Sequence, residues 1–236
     1  MFEALLDRIA DFHEDLIRNI SGIRESQHLF DDLSDNLDVQ AVAIAAEMLG
    51  APGATGSPLI TRSFDYGTVI TYPFSNFNGQ QTRFSDALSY GVWYGSLELD
   101  TTIYETVHRY HRFIMDGPWS QGKEIRADRR VFRVNCNGVL VNLRGKEAIE
   151  PKLIDRDSYD LTQALGRYLV NQRANGLLVR SARCTGINGA IFNPAVLSNP
   201  RDEAFLTYRV FPNEDLVIVE RVPEEVLLEI RPSSLD

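Results

Sequence analysis

The chain has 236 residues, of which 44% are hydrophobic, and a formal net charge of −9. This length and composition suffice for one sizeable hydrophobic core with an appendage. The negative charge argues against direct binding to nucleic acid or to an anionic membrane, so any anionic ligand requires a local cluster of arginines. No apolar run reaches the roughly 18 residues of a membrane helix, and the first residues do not resemble a secretory signal. We therefore predict a cytoplasmic protein.

The first 58 residues are predicted to form a helical extension before the main domain. Residues 2–20 carry apolar side chains three and four positions apart, which is typical of an amphipathic helix. A second helix, rich in alanine, is predicted from about Asp38 to Leu49. The connector Gly50–Pro58 follows, with three glycines and two prolines. The extension could cap the main domain, form a homo-oligomer with another copy of the chain or bind a partner.

The main domain is predicted to occupy residues 59–236 and to be of the mixed α+β class. Its predicted strands are Leu59–Phe64, Thr68–Tyr72, 91–94, Val131–Cys136, Val139–Leu143, 177–179, Ala204–Phe211, Leu216–Arg221 and Val226–Ile230. One helix is predicted to begin near Thr102 and another to run from about Tyr159 to Arg173, and Asp116–Arg130 is predicted to be a polar loop. Because Asn137 and Gly138 separate two apolar runs, a β-hairpin turn is predicted there.

No metal site is predicted from the cysteines and histidines. Cys136 and Cys184 form no CxxC pair, and we expect them to be buried or free thiols in a reducing compartment. His108 and His111 share a predicted helix, but no H-E-x-x-H pattern accompanies them.

The segment from Arg83 to Arg112 is the candidate functional region. It places Arg83 in a polar loop, Tyr94 at the end of a short apolar run and Glu105 in the first turn of a helix. A cation, an aromatic hydroxyl and a carboxylate that converge on one pocket suit a ligand with phosphates, a flat ring and a ribose.

Each of these residues also has an ordinary structural interpretation. Arg83 could be a solvated surface residue, and Tyr94 could be a half-buried core residue. Thr102 and Glu105 have the spacing of a capping box, in which the glutamate bonds to the start of its own helix. Glu105 also precedes Arg109 by four positions, the spacing of an ion pair on a helix surface.

The apolar face of this helix argues for a more exposed position of Glu105. That face is predicted to contain Ile103, Val107, Tyr110 and Ile114. Glu105 lies roughly 200° from Ile103 around the helix axis. It is therefore expected to point into solvent or into a cleft.

A further candidate is Ser181, which follows the predicted buried strand at 177–179. A serine at the end of a strand can donate a hydrogen bond to a ligand or can cap a turn. No G-x-S-x-G motif surrounds Ser181, so we do not predict an acyl nucleophile.

These segments together resemble the RES domain, a bacterial toxin family named for its arginine, glutamate and serine. The resemblance covers roughly residues 59–230. It is carried by Arg62, Arg83, Tyr94 with Gly95–Ser96, Glu105 within 103–107, and Ser181 within 178–183.

The resemblance implies a fold similar to that of ADP-ribosyltransferase toxins, with a split β-sheet core and a cleft for NAD. Family members degrade NAD by hydrolysis or phosphorolysis, and at least some transfer ADP-ribose to a protein. They are usually paired with a helix-turn-helix antitoxin that blocks the cleft. NAD is then the substrate, and no metal is required.

The resemblance also implies roles for individual residues. Glu105 would stabilise the oxocarbenium-like transition state of glycosyl transfer. Arg83 and Arg62 would bind the pyrophosphate. Tyr94 would orient the nicotinamide, and Ser181 would bond to the nicotinamide ribose or amide.

We therefore predict a toxin that cleaves the nicotinamide–ribose bond of NAD, with water, phosphate or a protein side chain as the acceptor. One alternative is a mono-ADP-ribosyltransferase that modifies a specific protein. Another is a non-enzymatic binding module that assembles through the extension. Because one NAD molecule needs them together, Arg83, Tyr94, Glu105 and Ser181 are expected to line one cleft.

Overall fold

The fold is described by a computed structural model for residues 2–22, 66–75, 81–117, 124–222 and 224–235. Several predictions lie outside the described residues: the helix Asp38–Leu49, the connector Gly50–Pro58, the strand Leu59–Phe64 and the position of Arg62. The division of the chain between residues 58 and 59 also lies there and stays a prediction.

The described residues form three α-helices and one sheet of eight strands, which agrees with the predicted α+β class. The strands are β1 (Ile9–Ser21), β2 (Trp93–Ser96), β3 (Ile125–Asn142), β4 (Gly176–Arg180), β5 (Ile187–Ile191), β6 (Leu197–Phe211), β7 (Leu216–Val222) and β8 (Glu225–Ile230). The helices are α1 (Gly67–Ser75), α2 (Leu99–Met115) and α3 (Asp160–Asn171). None of these helices is both long enough and apolar enough to span a membrane.

The sheet has the strand order β1-β2-β5-β4-β3-β6-β7-β8. Because β1 pairs with β3 as well as with β2, the strands β1, β2, β5, β4 and β3 close into a ring. β1 and β3 pair along all of β1, from Ile9 opposite Val141 to Ser21 opposite Arg129. The described pairing of β1 with β2 is limited to Ile17 opposite Ser96. The split sheet of ADP-ribosyltransferases stays a prediction.

The helix predicted over residues 2–20 is wrong, because Ile9–Ser21 forms β1. A spacing of four positions places two side chains on one face of a helix and also on one face of a strand. Phe12 and Leu16 therefore fit both patterns, and both are buried, as is Ile17 on the opposite face of the strand. Pairing with β3 decides between the patterns, and residues 1–22 belong to the same compact unit as residues 66–236.

The hairpin turn predicted at Asn137–Gly138 is also wrong, since β3 runs through both residues. In the ladder they lie opposite His13 and Phe12 of β1. Gly138 is needed for space, because a Cβ atom on it would lie only 2.8 Å from Cγ1 of Val196. The glycine thus permits close packing against the strand and does not mark a turn.

Two other predictions differ from the structure. The strand predicted at Thr68–Tyr72 is wrong, because these residues belong to the helix α1. The Trp93 indole donates a hydrogen bond from Nε1 to the carbonyl oxygen of Val69 at 2.9 Å, which anchors α1 to β2. β3 begins at Ile125, inside the polar loop predicted from Asp116 to Arg130.

The described residues include two hydrophobic cores, one that contains residues of α2 and one that contains residues of α3. In the first, α2 packs its buried Ile103, Val107 and Ile114 against β3, β6 and β7, with Tyr110 partly buried beside them, which confirms its predicted apolar face. In the second, α3 packs against residues of β4 and β5. A side chain on the face of α2 opposite this apolar face therefore reaches the ends of β4 and β5.

Candidate functional site

Glu105 lies in the second turn of α2, and two side chains from the sheet hold its carboxylate. Ser181, just after β4, donates from Oγ to Glu105 Oε1 at 2.6 Å. Asn188 of β5 donates from Nδ2 to the same oxygen at 2.7 Å. Among the described residues, none donates a hydrogen bond to Oε2. Two neutral donors thus hold the carboxylate by Oε1, and Oε2, which accepts from none of the described residues, can accept from a ligand.

The structure excludes the capping-box interpretation of Glu105. α2 begins at Leu99, with Glu98 in the N-cap position, so Thr102 lies inside the helix and does not cap it. The carboxylate of Glu105 bonds across to the sheet instead of to its own helix.

The turn after β4 determines the direction of the Ser181 hydroxyl. Its oxygen accepts from the backbone N–H groups of Arg183 at 3.0 Å and Cys184 at 3.3 Å. Because a serine hydroxyl has one hydrogen, that hydrogen is directed to Glu105. Ser181 is 2% exposed. It therefore caps the turn, as one interpretation of the sequence suggested, and its one hydrogen goes to the Glu105 carboxylate; donation to a ligand stays a prediction.

Asn188 completes the surroundings of the carboxylate, although no motif in the sequence points to it. It lies opposite Ser96 of β2 in the sheet. Ser96 donates from Oγ to Asn188 Oδ1 at 2.6 Å, which turns the amide so that Nδ2 faces Glu105. The sequence does carry a signal, since a polar amide in a largely apolar strand needs hydrogen-bond partners.

Tyr94 of β2 ties the loop of Arg83 to the sheet. Its hydroxyl donates to Thr82 Oγ1 at 2.9 Å and accepts from the backbone N–H of Phe84 at 2.9 Å. Burial raises the pKa of Tyr94 to about 12, so the hydroxyl is neutral at physiological pH. Tyr94 therefore places Arg83, which lies between the two residues it bonds.

Arg83 is a partly buried cation beside this carboxylate. Its Nη1 donates to the carbonyl oxygens of Asp155 at 2.7 Å and Leu153 at 3.4 Å. The guanidinium carbon lies 4.7 Å from the centre of the Tyr159 ring. Burial lowers the pKa of Arg83, and the nearby charge of Glu105 opposes that shift. These contacts exclude the solvated surface arginine that the sequence left open.

The structure thus brings Arg83, Tyr94, Glu105 and Ser181 together. Ser181 bonds directly to Glu105, the negative charge of Glu105 favours the charged form of Arg83 and so opposes the lowering of its pKa by burial, and Tyr94 bonds to both neighbours of Arg83. The part that each takes in a reaction stays a prediction.

Arg18 of β1 is a further arginine at this end of the sheet. Its Nη1 donates to the Tyr94 carbonyl oxygen at 2.9 Å, and its guanidinium carbon lies 5.2 Å from the centre of the Trp93 ring. Burial, together with the charges of Arg109 and Arg129, lowers the pKa of Arg18 to about 10. Arg18, Arg109 and Arg129 therefore concentrate positive charge in a chain whose net charge is −9. Such a local concentration of positive charge favours an anionic ligand.

Comparison with known proteins identifies a family and finds similar chains among the solved structures. The model of the RES domain family matches residues 60–210. No curated protein matches the chain. The chain is similar, with 14% identity and a TM-score of 0.47, to a chain in the crystal structure of the M. tuberculosis MbcT–MbcA toxin–antitoxin complex, over 89% of this chain and 94% of that one. The family match contains Glu105, Ser181 and Asn188, whereas β1 with Arg18 precedes it.

Proposed function

Because the chain belongs to the RES-domain family, we propose that it is the toxin of a bacterial toxin–antitoxin system and that it degrades NAD. The bond that breaks is the one between nicotinamide and ribose. The observation that carries this proposal is the carboxylate of Glu105, which Ser181 and Asn188 hold by one oxygen. A fixed carboxylate whose second oxygen accepts no hydrogen bond from the described residues suits glycosyl transfer, because it can stabilise an oxocarbenium-like transition state.

The chemistry explains why a fixed charge is sufficient. When the carbon–nitrogen bond of NAD breaks, its electron pair returns to the positively charged pyridinium ring, and nicotinamide leaves as a neutral molecule. Positive charge then develops on the ribose, in an oxocarbenium-like transition state. A carboxylate that is already in place stabilises this state more than the bound substrate. An oxygen of the acceptor finally bonds to the ribose carbon; water or a side-chain hydroxyl loses its proton in this step, whereas an anionic phosphate oxygen carries none.

The remaining residues bind and orient the substrate in this proposal. Oε2 of Glu105 accepts a hydrogen bond from a ribose hydroxyl, and Tyr94 orients the nicotinamide. Arg83 and the positive cluster around Arg18 bind the pyrophosphate, for which arginine is well suited because it donates several hydrogen bonds from one planar group. Arg62 keeps the pyrophosphate role that the family resemblance gives it.

The proposal includes a partner and a location. As for other members of the family, we propose that a helix-turn-helix antitoxin binds the chain and covers the site. We also propose that the chain is located in the cytoplasm, where NAD is available. Positive charge near Arg18 and Arg83 favours an antitoxin segment that carries acidic side chains.

The test is to incubate the purified chain with NAD, with and without inorganic phosphate, and to identify the products by mass spectrometry. Release of nicotinamide with ADP-ribose shows hydrolysis, and release with ADP-ribose phosphorylated on the anomeric carbon shows phosphorolysis. ADP-ribose attached to a protein in amounts equal to the nicotinamide released would indicate a mono-ADP-ribosyltransferase. If no nicotinamide is released, the proposed function is wrong.

Replacing Asn188 by leucine is expected to lower NAD turnover about tenfold to a hundredfold, because a hydrogen bond to a charged group contributes roughly 1.5–3 kcal/mol. Leucine has a similar shape but gives Glu105 no donor. The measurement is the initial rate of nicotinamide release. Asn135→Leu in β3 is the matched control, since the described hydrogen bond of Asn135 goes to Asp15, and it is expected to retain the wild-type rate. Equal rates for Asn188→Leu and the wild type would show that Asn188 does not contribute to turnover.

A further inference from the structure

The side chain of Arg183 joins three segments that are far apart in the sequence. It is 6% exposed. Its Nη1 donates to the carbonyl oxygen of Leu235 at 2.7 Å, and its Nη2 donates to the carbonyl oxygen of Arg156 at 2.8 Å. The turn after β4 is therefore tied to residue 156 and to the short 3-10 helix Pro232–Leu235. Both bonds go to main-chain carbonyls, and neither goes to a carboxylate.

The main chain of Arg183 connects the same residue to Glu105. Its backbone N–H donates to Ser181 Oγ at 3.0 Å, and Ser181 in turn donates to Glu105. One end of Arg183 thus holds the serine hydroxyl, and the other end is fixed to two distant carbonyls.

The segment at residues 155 and 156 orients two arginines at once. The Asp155 carbonyl accepts from Arg83 at 2.7 Å, and the next carbonyl, that of Arg156, accepts from Arg183. The carboxylate of Asp155 accepts from the backbone N–H groups of Asp157 and Ser158, both at 2.9 Å. The segment is therefore held independently of the two arginines that it orients.

The helix Pro232–Leu235 is also held independently. The Leu235 side chain is buried in the core that contains Ile103 and Val107 of α2. Asp215 accepts hydrogen bonds from both the backbone N–H and the hydroxyl of Ser233. The carbonyl of Leu235 is thus a fixed support for the guanidinium of Arg183.

We propose that Arg183 is a positioning residue that fixes the Ser181 turn, and through it the Glu105 carboxylate, against residue 156 and the helix Pro232–Leu235. Its effect on turnover rests on the proposed function. Arginine is required because its planar guanidinium directs separate N–H groups at two carbonyls. Because both Nη atoms donate hydrogen bonds to main-chain carbonyls, the side chain holds the turn in place and does not bind the substrate.

Arg183→Lys tests this inference, because lysine keeps the charge but has a single nitrogen that cannot donate to both carbonyls in the same geometry. We expect kcat to fall about tenfold, the effect of losing one charge-assisted hydrogen bond, with little change in KM. We also expect faster hydrogen exchange at the backbone N–H groups of Arg183 and Cys184, which donate to Ser181 Oγ.

Arg130→Lys in β3 is the matched control. Arg130 is 4% exposed and pairs with Asp202. The control is expected to lower the stability of the fold without changing kcat or the exchange of the two N–H groups. If it lowers kcat as much as Arg183→Lys does, the loss reflects general destabilisation and the proposal is wrong.

A double-mutant cycle identifies the route of the effect. If Arg183 acts through Ser181, adding Arg183→Lys to a Ser181→Ala chain should change kcat less than about twofold, because effects that share one route are not additive. A full tenfold further loss would overturn the proposal.

The exchange measurement separates this inference from the proposed function, since it does not depend on turnover. If the wild type does not cleave NAD, the proposed function fails, while faster exchange in Arg183→Lys alone still supports the positioning. If exchange at the two N–H groups is the same in Arg183→Lys and the wild type, the positioning fails even in an active enzyme.

Discussion

Replacing Glu105 by glutamine is expected to lower NAD turnover by on the order of 10²- to 10³-fold, as for other lost electrostatic stabilisers of a transition state. Glutamine keeps an oxygen that can accept from Ser181 and Asn188, so the free energy of unfolding should change by only about 1 kcal/mol. Its second terminal atom is a neutral amide nitrogen, and the negative charge is lost. NAD affinity should fall much less than turnover, because the charge acts mainly in the transition state.

The measurements are the initial rate of nicotinamide release and urea denaturation. Glu98→Gln at the exposed start of α2 is the matched control, and it is expected to keep the wild-type rate. In cells without an antitoxin, the wild type should deplete NAD and stop growth, whereas Glu105→Gln should be tolerated. A Glu105→Gln chain that folds normally and cleaves NAD at the wild-type rate would contradict the catalytic assignment.

Replacing Gly166 by alanine is expected to destabilise the fold by about 1–3 kcal/mol, as overpacking of a core does. This change in stability is opposite in sign to the change at an exposed helical site, where alanine is favoured over glycine by about 1 kcal/mol. A Cβ atom on Gly166 would lie 2.2 Å from the Phe84 carbonyl oxygen and 2.8 Å from the Tyr90 hydroxyl. Tyr90 donates to that same carbonyl at 2.7 Å, so neither atom can move alone.

The added methyl group would displace the segment at Phe84, which contains the neighbouring Arg83. NAD turnover should therefore fall together with stability. Urea denaturation and the rate of nicotinamide release are the measurements. Asn171→Ala is the control, because Asn171 lies exposed in the same helix and alanine there should be neutral or slightly stabilising. Unchanged stability in Gly166→Ala would mean that α3 can move away from the Arg83 loop.

Patterns that reflect local burial predicted much of the fold. The apolar face of α2 follows from side chains whose periodicity matches the helix that buries them, and β4, β6, β7 and β8 follow from short apolar runs. β1 could not be predicted in this way, because the spacing of Phe12 and Leu16 fits a helix and a strand equally. Its pairing with β3 decides its conformation, and that pairing is not visible in either segment alone.

The candidate site was predictable to a lesser extent. Glu105 and Ser181 were candidates from their local sequence, and their roles in one site came from the resemblance to a family, since no local pattern shows that a serine 76 residues later will bond to that glutamate. Asn188 has no motif, and its role is defined by Ser96 and Glu105 on other elements. Arg18 was hidden by the helix predicted for its segment, in which an arginine among acidic residues looks like part of a solvated face.

The closed ring of strands has a consequence for the biosynthesis of the protein. β1 is made early but lacks its long partner until β3 follows, and Glu105 lacks Ser181 and Asn188 until 76 and 83 further residues are made. At about 5–20 residues per second, the latter interval lasts roughly 4–17 seconds. Contacts so distant in sequence also fold slowly once made. The proposed NAD-cleaving site is therefore assembled only after Asn188 has been synthesised, late in the production of the chain.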